Sequence, residues 1–200
     1  MAAPPTATPV SDLHKSAFWI YGVTAMVMRE PLGIVLHHAS TAGWANSAVR
    51  VEALRCLVVL ALMSRQFLAA GIYFDRVFLQ TNAATRFPRR SYPLDFLAGM
   101  GQLLLVVGAA TLVGLTTANF DSLAALILLW EPLWLAAAML LRHSTVREIA
   151  PGAAYNAAIL AACAGIRAVS GESFAYGALI VLTGIQMVRL VPTYDSSQAP

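Results

Sequence analysis

The chain has 200 residues, 58% of them apolar and only 12% charged, with a mean hydropathy of +0.68. Soluble domains carry about 25% charged residues, so this balance points to a chain that lies in a lipid bilayer and excludes a disordered protein or a coiled coil. The 13 basic against 10 acidic residues leave a net charge of +3 without a dense basic stripe, which excludes a nucleic-acid partner.

A helix needs about 20 residues to cross a hydrocarbon core of roughly 30 Å. Taken in chain order, residues 1–15 (MAAPPTATPVSDLHK) hold three prolines and small polar groups. They read as a disordered tail that lacks the pattern of a signal peptide. Apolar runs then predict spans over 16–38, 51–74, 94–117, 119–141, 150–169 and 172–192. Residues 193–200 form a second disordered tail. The expected fold is therefore all-α: a polytopic integral membrane bundle of about six transmembrane helices over 16–192. A five-span alternative arises if residues 31–40 lie flat on the surface.

Lys and Arg in short loops stay on the cytoplasmic side. Arg76, Arg86, Arg89 and Arg90 follow the second span, and Arg142 and Arg147 follow the fourth. The loops around Asn119 and Gly171 carry no basic residue. Both termini are thus expected inside, in a multi-pass protein of a cell's inner membrane. Arg86, Arg89 and Arg90, beside Phe87 and Tyr92, also form a candidate contact for anionic lipid or an acidic partner segment.

Two fragments, REPLGIVLHHAST and WEPLWLAAAMLLRHST, place Glu-Pro-Leu inside the first and fourth spans. Three spans apart, they raise a 3+3 inverted repeat as an expectation. In the fifth span Ala154, Ala158 and Ala162 recur every fourth residue, as do Ala157, Ala161 and Gly165. Small faces of this kind let backbones approach closely, so the fifth helix is expected at the centre.

A charge at the bilayer midplane costs about 2.5–3.5 kcal/mol on insertion scales, so each must find protein or water. Arg29, Glu30, Arg65 and Glu131 fall near the middle of their spans and balance two against two. Neighbours on a helix diverge by about 100°, so Arg29 and Glu30 must each look to another helix. The economical pairing is Glu30 with Arg65 and Arg29 with Glu131. Pro31 and Pro132 remove a backbone donor and free the carbonyls of Val27 and Leu128. With Trp130 and Trp134 bracketing the second kink, these residues are the candidate midplane binding cluster.

Other chemistries lack their signatures. The neighbouring His37 and His38 point apart, so no metal site is expected. Cys56 and Cys163 stand outside any Cys-x-x-Cys setting. The only lysine, Lys15, lies in the tail, which excludes an intramembrane Schiff base. No hydrolase, metalloprotease or phosphate-loop motif occurs, so no cofactor and no enzymatic activity are expected. The functional expectation is a small ion, proton or solute channel or carrier using the midplane carboxylates. The alternative is a non-catalytic membrane scaffold or accessory subunit of a larger complex; a homo-oligomer is a separate expectation.

Overall fold

The computed structural model describes residues 9–74, 92–113, 117–140 and 146–197. Among them are six helices and no strand: α1 (Pro9–Ala42), α2 (Ser47–Phe74), α3 (Tyr92–Thr111), α4 (Thr117–Leu140), α5 (Val146–Ser170) and α6 (Glu172–Ser197). The all-helical expectation holds. Among the described residues one stretch, Ala150–Ser170 in α5, is long and apolar enough to cross a membrane by itself; Leu97–Thr111 in α3 is apolar but shorter.

The helix ends differ from the expected spans in ways local chemistry explains. Helix α1 already begins at Pro9, inside the segment expected as a tail, because a proline ring pre-sets the backbone angle of a first helical turn. Helix α6 runs on to Ser197, past the expected end at 192. Between α1 and α2 the chain turns at Gly43, whose φ is 78°. The Gly43 amide donates to the Ala39 carbonyl at 3.0 Å, a left-handed cap that glycine adopts without strain. Asn46 then caps α2, its Oδ1 accepting from the Ala48 amide at 2.9 Å. Gly171, with φ 88°, ends α5 in the same manner, its amide bonding to the Arg167 carbonyl at 3.0 Å. No connecting residue beyond Gly171 separates α5 from α6.

Helix α2 holds the centre and packs on α1, α3, α4 and α6. Its Val58, Val59, Leu62 and Met63 are buried together with Phe120, Ile127 and Leu128 of α4 and Val106, Ala109 and Ala110 of α3. Bulky side chains on several faces of one helix bury the most area when that helix is innermost. Helix α5 does not occupy the expected central position. It packs on α4 and α6, and Ala154, Ala157, Ala158, Ala161, Ala162 and Gly165 are all exposed. Small side chains offer little area to bury, so they lose the centre to α2. Helices α1, α2 and α3 touch one another, and α5 packs on both α4 and α6.

Candidate functional site

Two polar layers cross the bundle. The first centres on Arg65 of α2, which is 0% exposed. Its Nε donates to Oε1 of Gln186 on α6, and its Nη2 donates to Oδ1 of Asn156 on α5 at 2.8 Å. Gln186 Nε2 reaches the same Asn156 oxygen at 3.1 Å. Asn156 then turns its own Nδ2 to the Leu128 carbonyl of α4 at 2.9 Å. That carbonyl is the one Pro132 deprives of its helical donor, so the kink in α4 creates the acceptor that Asn156 fills. The adjacent Ile127 carbonyl accepts from Gln66 Nε2 at 3.2 Å. One layer thus joins α2, α4, α5 and α6, and the buried guanidinium sits among carboxamides.

The second layer lies at one end of the bundle. Arg55 of α2 donates to Glu172 of α6 at 2.8 Å, to the Tyr176 hydroxyl at 3.3 Å and to the Val113 carbonyl after α3 at 3.1 Å. Its guanidinium carbon also stands over the rings of Phe120 and Tyr176, at 5.6 and 5.9 Å, a cation–π arrangement. Tyr176 donates its hydroxyl to Asp121 of α4 at 2.7 Å, and Asp121 accepts from Arg167 of α5 as well. Arg55, Arg167, Asp121 and Glu172 balance two charges against two. The starts of α2, α4 and α6 therefore meet the ends of α3 and α5, so these helices alternate up and down. At the α1–α2 turn, His38 and Glu52 add a contact of 2.7 Å.

A crevice of about 190 Å³ lies between α4, α5 and α6. Asp121, Arg167 and Tyr176 form its polar rim, while Ala124, Leu128, Leu160, Cys163 and Leu179 make its walls apolar. Leu128 and Leu160 lie seven residues from Asp121 and Arg167 along their helices, a rise of roughly 10 Å. Leu128 is also the residue whose carbonyl Asn156 holds, so the crevice runs from the charged end toward the Arg65 layer.

Of the residues expected at the midplane, Arg65 is at the heart of the bundle, but its described partners are carboxamides where Glu30 was expected. Arg29 and Glu30 are both exposed on the outer face of α1. The side chain of Glu131 lies outside the described residues, as do Arg86, Arg89 and Arg90. Trp130 is not on the crevice: its Nε1 donates to the Ala98 carbonyl at 3.0 Å, and its ring lies against Gly101 of α3. Trp134 is half-buried. Cys56 and Cys163 are free thiols.

Reasoning from formal charge at the midplane missed Asn156, Gln186 and the end cluster. Amides inside apolar runs were the available signal, since an unsatisfied amide among apolar side chains is costly. Asp121 and Arg167 stand 46 positions apart in the chain, and nothing in that separation links them. Comparison with protein-family models, with curated proteins and with solved structures finds no match to this chain.

Proposed function

We propose that the chain is a multi-pass protein of a cell's inner membrane, with six crossing helices and both termini on the cytoplasmic side, and that it acts as a small solute or ion carrier. One observation carries the membrane reading: a charged and several polar side chains are buried inside the bundle while large apolar side chains stand on its surface. Arg65, Asn156 and Thr183 are fully buried, whereas Leu104 is 66%, Val181 60% and Val188 72% exposed. Water-soluble domains keep ionised groups outside and seldom display broad apolar patches; a bilayer reverses both preferences.

The carrier reading rests on the crevice that leads from the Asp121–Arg167 rim toward the Arg65–Asn156–Gln186 layer. A fixed guanidinium just beyond the inner end of that crevice would attract the solute, with the carboxamides orienting it. Glu131, next to Pro132 at the kink, completes the proposed cluster, while the outward position of Glu30 removes that carboxylate from the bundle interior. In proteoliposomes the parent should support proton, cation or small-anion flux above empty vesicles. Arg65→Gln and Glu131→Gln should reduce that flux while remaining folded. Background flux from parent and variants alike would end the carrier reading.

A second reading, an accessory subunit, is favoured by the exposed Arg29 and Glu30. Two charges on the outside of a membrane helix call for a covering partner. Gentle extraction should then recover a stoichiometric complex.

A further inference from the structure

We propose that the outer face of α1 is the seam of a symmetric dimer, with a second copy of this chain as its occupant; the inference rests on the membrane reading above. The exposed side of α1 is broad, and along its middle Gly22, Met26, Arg29, Gly33, Leu36 and Ser40 follow one another at successive spacings of four and three. That alternation is the seam of two parallel helices in left-handed contact. Buried Met28, Pro31 and Val35 occupy the opposite side and face the bundle. The seam is open: Met26 is 73% and Leu36 61% exposed, and a Cβ added at Gly22 or Gly33 would meet nothing within 4 Å.

The charges select the occupant. Among the described residues neither Arg29 nor Glu30 has an ion-pair partner, although both stand midway along α1. In a two-fold pair the same patch meets itself, so residue i contacts j and j contacts i. Two copies inserted in the same sense run their α1 helices in parallel. Arg29, three residues after Met26 and four before Gly33, takes the second core position of the repeat, which packs beside its own counterpart and the residue that follows it. Arg29 of each copy therefore lies beside Glu30 of the other, giving two ion pairs from one pair of adjacent residues. A stretch so arranged is complementary to itself, which a seam for an unrelated subunit has no need to be. The glycines on either side let the backbones come close enough for those pairs to form.

The test is cysteine cross-linking in native membranes. Ser40→Cys on the seam should give a disulfide-linked dimer on mild oxidation, and Val188→Cys, exposed on α6, should not. Added to Ser40→Cys, Arg29→Glu or Glu30→Arg alone should lower the cross-linked fraction by roughly tenfold, since each sets like charges face to face. Exchanging both, Arg29→Glu with Glu30→Arg, should restore it. Co-expression of the two single variants under different tags should yield the mixed dimer, because the copy with two adjacent glutamates then meets the copy with two adjacent arginines. Cross-linking that is equal at Ser40 and Val188, or indifferent to the charge changes, overturns the dimer. So does a seam found occupied by a different polypeptide. Alkaline carbonate separates the two levels of failure. Retention in the membrane pellet without specific cross-linking removes the dimer alone, whereas release into the supernatant removes the membrane reading and the dimer with it.

Discussion

Asn156 shows how much a single buried amide can organise. Its oxygen accepts from Arg65 and Gln186 and its nitrogen donates to the Leu128 carbonyl, so one side chain closes the gap that Pro132 opens and holds the guanidinium in place. Replacing it by leucine of similar size would leave two donors and a carbonyl without this partner. Each buried polar group left unsatisfied costs about 1–3 kcal/mol, although partners found in the membrane-embedded unfolded state reduce such effects. Asn156→Leu should lower stability by about 1–3 kcal/mol, read from denaturant unfolding in mixed micelles. Stability equal to the parent would show that the amide is not holding the layer. Arg55 is held differently, by a carboxylate, a phenol, a carbonyl and two aromatic faces, which spreads its desolvation over several partners.

At the scale of an element, the α3–α4 contact depends on absent atoms. A Cβ at Gly101 would stand 2.7 Å from the Trp130 ring, and that ring is fixed by its hydrogen bond to Ala98. Gly101→Ala should therefore destabilise the bundle by about 1–3 kcal/mol through overpacking. Gly99, two residues earlier, has nothing within 4 Å. Alanine there should be neutral or gain up to about 1 kcal/mol of helix propensity. Opposite signs at two glycines of one helix, measured as shifts in thermal midpoint, would separate packing from propensity; equal effects would refute the assigned contact. The same logic explains α5, where small side chains leave the helix peripheral with only 11% of its span-like window buried.

For the whole molecule, the decisive arrangement is the meeting of the starts of α2, α4 and α6 with the ends of α3 and α5 around Arg55, Asp121 and Glu172. Consecutive helices that alternate in this way put the α1–α2 and α5–α6 turns at one end. Under the proposed six crossings with a cytoplasmic N-terminus, both turns would face outward. Cysteines placed at Ala45 and Ser173 should be labelled in intact cells by a membrane-impermeant maleimide. Labelling of either one only after the cells are opened would overturn the topology.

Composition and apolar run length by themselves determined that the chain is helical and about where its helices lie, because backbone groups and side-chain hydropathy act locally. They also located Arg65, and they located the carbonyl at Leu128, since a proline always strips the residue four positions before it. Partner choice was decided only by tertiary structure. Asn156, Gln186 and Arg65 lie on three helices, and the separation of 46 positions between Asp121 and Arg167 carries no sign that the two will meet. Which side of α1 faces outward, and so whether Glu30 could reach Arg65, depends on how the helix is rotated against α2 and α3. That rotation is set by the summed packing of Met28, Pro31 and Val35, a property of the assembled bundle that periodicity along one helix does not contain.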